Sequence, residues 1–251
     1  AYMSGEHDMH FLVIMTDMDA PNNKVMLVDT KKPAKEDWTV LIPEKSEVMT
    51  SASIVGGKIF GSYLKDASTH IYQHDLAGNP EKEIPLPALG SAGGFGGKKV
   101  DTLVFYTFTS FTYPPTIYKY DIPTGISEVF RKTEVKFNPD DYEAKQVFYA
   151  SKDGTKIPMF IVHKKGLVLD GKRPTLLYAY GGFNASSTPY FNVSNVILLE
   201  NDGVYAMANL RGGGEYGESW HKAGMLEKKQ NVFDDFIAAA EYLIREKYTS
   251  S

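Results

Sequence analysis

Cysteine is absent from this chain. Without thiols there is no disulfide framework and no thiolate metal site, a composition that suits the cytosol. Charge of one sign is missing as a patch. The 27 Lys and Arg stand against 31 Asp and Glu for a net charge of −4, and both signs are mixed along the chain. No basic stripe marks a nucleic-acid face, so nucleic acid is not an expected partner. Long apolar runs are lacking too. The longest near the start, Phe11 to Met15, is far too short to cross a bilayer, and no membrane association is expected. What the chain does have is 43% apolar residues, with aromatics making up 13% of its 251 positions. That is ample for packed cores in one large domain or two ordinary ones.

The first half repeats itself. Lys24-Val-Met-Leu-Val-Asp29, His70-Ile-Tyr-Gln-His-Asp75 and Thr116-Ile-Tyr-Lys-Tyr-Asp121 align, with their aspartates 46 residues apart (75 − 29 and 121 − 75). A strand-like run precedes each at the same offset: Phe11 to Met15, Lys58 to Tyr63 and Thr102 to Tyr106. Another follows each: Trp38 to Ile42, Glu81 to Leu86 and Ile126 to Phe130. Several short strands per unit at a period in the forties point to β-propeller blades rather than a β-sandwich. The aspartates end strands, where a carboxylate accepts hydrogen bonds from the following turn, so they are read as structural. Three blades cannot close a ring, and further blades are expected upstream of Ala1. The pattern changes around residues 133 to 142, and the division is placed at 1–138 and 139–251.

The second half alternates strand and helix. Ala144 to Ala150 and Lys156 to His163 flank an Asp153-Gly154 turn and predict an antiparallel hairpin, with Pro158 suggesting an edge position. Pro174 to Tyr180 reads as a buried strand that stops at Gly181-Gly182. Val193 to Glu200 predicts a helix with Val193, Val196, Ile197 and Glu200 at helical spacing and Gly203 as its left-handed stop. Val204 to Leu210 is the next strand, running into Arg211-Gly-Gly-Gly214. The last helix shows Phe233, Phe236, Ile237, Ala240 and Ile244 on one face, with Asn231 as N-cap answered by Asp234. Asp234 and Asp235 sit in its first turn, where the helix dipole accounts for them. This order predicts parallel strands with right-handed crossovers and a further strand beyond Ser251.

Familiar catalytic machinery is sparse. No Gly-x-Ser-x-Gly elbow is present. Ser219 and His221 lie two apart in an expected loop and do not make a dyad by sequence alone. His70 and His74 share a strand, where i, i+4 side chains are too far apart for one metal. No metal site or cofactor is expected. Arg211 to Gly214 lacks the Lys and Ser/Thr of a phosphate loop, and Arg211 is expected to pair with a nearby acid, Glu215 being the first candidate. Tyr180 remains: a phenol at the C-terminal end of a sheet strand can aim at a developing oxyanion. Taken alone it reads more simply as a buried tyrosine.

The second half resembles the prolyl oligopeptidase family, serine peptidases of the α/β-hydrolase fold. The matching runs are Ser151 to Gly166, Tyr178-Ala-Tyr-Gly-Gly-Phe-Asn184, Asn209-Leu-Arg-Gly-Gly-Gly-Glu-Tyr-Gly217, Trp220-His-Lys222, Lys229 to Phe236 and Ala240 to Ile244. The resemblance implies about three blades of an incomplete β-propeller followed by the N-terminal part of an α/β-hydrolase domain. It implies a cytoplasmic, monomeric enzyme that cleaves short proline-containing peptides on the carboxyl side of proline, with the propeller as a size filter. It assigns an oxyanion hydrogen bond to Tyr180 and a place in the proline pocket to Phe183. The family's Ser, Asp and His triad falls beyond Ser251, so Ser219, Ser250 and Ser251 are not promoted to it and the chain alone is expected to be inactive. Oligopeptidase B, dipeptidyl and acylaminoacyl peptidases, a macrocyclase of the same family and a propeller used purely as a binding scaffold are the alternatives.

Overall fold

Residues 2–7 and 10–251 are described by the computed structural model. They form four four-stranded sheets and three α-helices. The first sheet takes β1 (Tyr2–His7), β2 (Phe11–Thr16), β3 (Lys24–Asp29) and β4 (Thr39–Ile42) in chain order. The second takes β5 (Val48–Val55), β6 (Lys58–Lys65), β7 (Ser68–His74) and β8 (Pro80–Ile84), again in order. The third takes β9 (Ser91–Gly96), β10 (Leu103–Thr109), β11 (Thr116–Asp121) and β12 (Ile126–Lys132). Each neighbouring pair within the second sheet is antiparallel. This meander is the form of a propeller blade.

The repeated aspartates behave as their position at strand ends suggests. Asp75 accepts from the Ala77 and Asn79 backbone amides at 2.9 and 2.8 Å and from the Asn79 side chain at 2.9 Å. Those bonds hold its carboxyl below the usual carboxylate range, the Asn79 side chain contributing most. Asp121 does the same for Thr124, and Asp29 takes the Lys31 amide. Each closes its own turn.

What the pattern left out is the leading strand of each blade. Serine, alanine and glycine fill five of the six positions of β9 and interrupt β5 at Ser51, Ala52 and Ser53, so neither shows the unbroken bulky alternation that marks a strand. They are nonetheless built into the cores. Met49, Ala52 and Ile54 of β5 pack with Val13, Val25 and Ile42 of the first sheet. Phe95 of β9 stacks between Phe60 at 5.2 Å and Tyr106 at 4.9 Å, and Tyr106 stacks in turn on Tyr118 at 5.1 Å. This aromatic column joins the second and third blades, and a buried hydrogen bond from Tyr120 to Gln73, 2.7 Å, crosses the same seam. The residue types that pack such a seam, Phe and Tyr, gain about 0.5–1.5 kcal/mol per pair beyond their burial.

Residues up to Phe108 together with Pro115–Lys132 form one compact unit, and Thr109–Pro114 with Thr133–Ser251 form the other. In the second unit β13 (Tyr142–Ala150), β14 (Lys156–Lys164), β15 (Thr175–Ala179) and β16 (Val204–Ala208) make one sheet in the order β13-β14-β16-β15. β13, β14 and β16 pair antiparallel, and β15 pairs parallel with β16. The crossover between the parallel strands is α1 (Val193–Glu200). Pro158 is therefore on an inner strand, not at an edge. Its carbonyl accepts the Asn209 amide at 2.9 Å one residue past the end of β16, so its missing N–H falls where the ladder has stopped.

The helices turn unexpected faces inward. α3 (Gln230–Arg245) buries Val232, Asp235, Ala239 and Leu243, while Phe233, Phe236, Ile237 and Ile244 are exposed. In α1, Asn195, Val196 and Leu199 are buried and Val193 and Ile197 are not. Val232, Ala239 and Leu243 meet Ile157, Met159 and Ile161 of β14 and Val204, Ala206 and Ala208 of β16. Strand alternation sends Phe160, Tyr205 and Met207 to the other face, where Phe111 lies against Phe160 and Tyr205. Three local readings change. The N-cap of α3 is Lys229 rather than Asn231, whose side chain instead reaches the Ala223 carbonyl. Asp234 accepts from Gln230. The left-handed residue after α1 is Asp202, φ 55°, with the Gly203 amide returning to the Leu198 carbonyl.

Candidate active site

The loop after β15 and the loop after β16 come together at the C-terminal ends of two parallel strands. In such sheets, ligands bind at these ends. Gly181 takes φ 59°, and a side chain there would meet Val232 at 2.7 Å and Leu210 at 2.9 Å. Gly212 takes φ 90°, and its missing side chain leaves room for the Gly181 carbonyl. The two glycine runs are the means by which two backbones pass in contact.

Tyr180 is 53% exposed, which excludes the buried-tyrosine reading. Alternation along β15 puts Tyr178 and Tyr180 on one face, and with Met207 they line a cleft of about 360 Å³ closed by Ala185, Ser186, Ser187, Thr188 and Tyr190. Phe183 is 88% exposed and stands with its ring 6.4 Å from that of Tyr180. Both side chains are thus presented to an incoming group rather than spent on the core. Phe183 and Asn184 both take φ 55°, an unfavourable region for a bulky side chain.

The strongest electrostatic feature lies just behind the loop. Asp235, with no exposed surface, accepts from Arg211 Nε at 3.0 Å, Nη2 at 2.6 Å and the Arg211 backbone amide at 3.1 Å. Ser151 Oγ adds a fourth bond at 2.6 Å, and Arg211 also grips Asp153 in the hairpin turn. The Arg211 hydrogen bonds pull the Asp153 carboxyl down to about 2. The acids paired with Arg211 are therefore Asp235 and Asp153, and Glu215 is not one of them. Glu215 is buried beside Asn209 and accepts from the Ser187 amide at 2.7 Å, and its burial raises its carboxyl above the usual range. The dipole account of Asp235 is superseded for the same reason: its partner comes from 24 positions away, a contact that no local pattern records.

Ser219 sits in α2 (Gly217–Lys222), a short helix rather than a loop. His221 of the same helix faces the Gly212 carbonyl at 2.9 Å. His70 pairs with Glu83 at 2.6 Å, whereas His74 is buried, and burial lowers its affinity for a proton. Among the described residues, no cluster of three or more His, Asp or Glu could hold a metal, and no helix is long and apolar enough to cross a membrane.

Blades followed by a mixed sheet in the order β13-β14-β16-β15, with a helical crossover between its parallel strands, define a propeller-bearing α/β protein. Comparison with known proteins narrows this. The family model for the prolyl oligopeptidase N-terminal β-propeller domain matches residues 2–133, and that of the prolyl oligopeptidase family matches residues 189–251. The prolyl endopeptidase of Elizabethkingia miricola is 52% identical over 239 residues, covering 95% of this chain and 34% of the relative. The dual function macrocyclase-peptidase POPB of Galerina marginata is 37% identical over 243 residues, covering 94% and 33%. A solved prolyl endopeptidase superimposes with a TM-score of 0.92 at 49% identity, over 99% of this chain and 37% of that one. Prolyl oligopeptidase B from Galerina marginata, bound to a 25-residue macrocyclization substrate, gives 0.91 at 34% identity, over all of this chain and 35% of that one. The chain belongs to the prolyl oligopeptidase family. It comprises propeller blades and the start of the peptidase domain, and it spans about a third of the length of these relatives. Tyr180 and Phe183 fall between the two matched segments, within the reach of the full relatives.

Proposed function

We propose that this chain is the blade-to-sheet portion of a cytosolic serine endopeptidase that hydrolyses short peptides after proline through an acyl-enzyme. In this reading the Tyr180 hydroxyl donates to the oxyanion of the tetrahedral intermediate. Phe183 packs the proline ring of the substrate. The observation that carries the proposal is the joint exposure of these two side chains at the C-terminal end of β15, next to a cleft. A phenol supplies a hydrogen-bond donor on a rigid ring, the kind of preorganised group that stabilises an oxyanion. The nucleophile, its base and the orienting acid lie outside these residues. Without the triad, only weak residual catalysis from positioning groups remains, and here even the domain is partial.

The full-length protein is expected to cleave a Gly-Pro amide and to lose that activity to a serine-directed reagent. The 251-residue chain alone is expected to show neither. Reagent-sensitive cleavage by the chain would overturn the assignment of the triad outside it. Phe183→Ala in the full-length protein is expected to erase most of the preference for proline over alanine before the scissile bond. A proline ring desolvated against Phe is worth about 1–3 kcal/mol, or roughly 10- to 200-fold in discrimination. Undiminished preference would remove Phe183 from the pocket.

A second outcome has a specific support, the similarity to macrocyclase-peptidases. Hydrolysis and cyclisation share one acyl-enzyme and differ in whether water or a peptide amine attacks it. Product analysis with a long substrate distinguishes them.

A further inference from the structure

The Gly181-Gly182-Phe183-Asn184 turn holds two consecutive non-glycine residues in the left-handed region, Phe183 and Asn184 at φ 55° each. Strain of this kind persists only where surrounding contacts over-determine it. Three ties do so. Lys229 Nζ donates to the Gly181 carbonyl at 2.9 Å. The Ala185 amide returns to the Gly182 carbonyl at 3.0 Å. The Asn184 amide reaches the Gly212 carbonyl at 3.2 Å, across to the other glycine loop.

His221 stands at this third tie. Its Nδ1 is 2.9 Å from the Gly212 carbonyl and 3.1 Å from the Asn184 nitrogen. One ring nitrogen cannot donate and accept at once. With the proton on Nδ1, the Gly212 carbonyl accepts from both His221 and Asn184, and every group has a partner. With Nδ1 bare, it accepts from the Asn184 amide at 3.1 Å, but its lone pair then faces that of the Gly212 carbonyl at the shorter distance of 2.9 Å. The first arrangement is favoured. α2 is itself anchored, because the Gly212 amide donates to the Trp220 carbonyl at 3.0 Å and Trp220 Nε1 donates to the Leu210 carbonyl at 3.0 Å.

We propose that His221 is a positioning residue, whose Nδ1–H, by holding the Gly212 carbonyl against the Asn184 amide, fixes the turn that presents Phe183 to the substrate's proline. It touches neither substrate nor reacting atoms. The proposal rests on Phe183 lining the proline pocket, and it adds the residue that sets the pocket's geometry.

The test uses the full-length protein and four variants. His221→Phe keeps a ring and removes the donor. His221→Asn restores an amide donor near the place of Nδ1. Phe183→Ala and the double variant Phe183→Ala/His221→Phe complete the cycle. Loss of one hydrogen bond predicts a roughly three- to tenfold rise in KM for proline substrates in His221→Phe. The proline-over-alanine ratio is expected to fall in parallel, with kcat on small substrates changed less. His221→Asn should recover most of both. In the Phe183→Ala background, His221→Phe should have no further effect on selectivity, since it acts through the missing ring. An unchanged KM and ratio in His221→Phe, a His221→Asn variant no better than His221→Phe at equal folded fraction, or additive effects in the double variant would each overturn the proposal. If Phe183→Ala alone leaves selectivity intact, the pocket reading fails instead, so the two failures are distinguishable.

Discussion

Tyr180→Phe in the full-length protein is expected to lower kcat by about 10²- to 10³-fold while leaving KM for a Gly-Pro amide within about a factor of three, the signature of one oxyanion donor removed. Three features make the effect separable from unfolding. The substitution removes a single hydroxyl from a side chain that is half-exposed in these 251 residues. No protein group takes a hydrogen bond from that hydroxyl among the bonds described, so its removal strands no partner. The ring stays, and with it the contact to Phe183 at 6.4 Å. The measurement is steady-state kinetics beside a thermal melt. A loss in kcat below threefold, with the melt unchanged, would exclude Tyr180 from the oxyanion site.

The second large effect is on stability. Arg211→Met is expected to destabilise the fold by about 3–5 kcal/mol, because it leaves the fully buried Asp235 carboxylate without its cation. Asp235→Leu should cost less, because Arg211 loses its buried acid but keeps Asp153. The double variant should recover a substantial part of the sum, since two apolar groups in place of a buried pair can be nearly neutral. Urea unfolding of the full-length protein and its three variants reads the coupling directly. Strict additivity would mean that the pair is not a unit. The site should feel the single variants as well. Arg211 precedes the Gly212 carbonyl to which the Asn184 amide is tied, and its own amide is held by Asp235 at 3.1 Å.

Much of the architecture was legible in the residues. The 46-residue interval, the strand runs at Lys24–Asp29 and Thr116–Asp121 and the helix at Val193–Glu200 all stand where the pattern placed them. These are local signals. A turn aspartate and a period-two run are decided within a few residues. The resemblance pointed to Tyr180 and Phe183, whose proposed roles rest on a motif contiguous in the chain.

What the residues alone misassigned depends on distant partners. α3 has two apolar faces, and spacing favoured the one with more aromatics. The inward face is instead the one that carries Asp235, because a buried carboxylate must go where its guanidinium is, and Arg211 arrives from the end of β16. Pro158 read as an edge residue until β16 was seen to end beside it. The leading strands β5 and β9 are held by contacts to the neighbouring blade that their runs of Ser, Ala and Gly do not announce. His221 lies in a matching run, Trp220-His-Lys222, that assigned it no role, and only the approach of two glycine loops gives its Nδ1 a carbonyl to hold. The sequence by itself determined which segments are strands and helices and which family they belong with, since those follow from local periodicity and contiguous motifs. The tertiary structure alone decided which faces are buried, which acid answers Arg211 and what holds Phe183 in a left-handed turn, since each is a choice between groups far apart in the chain.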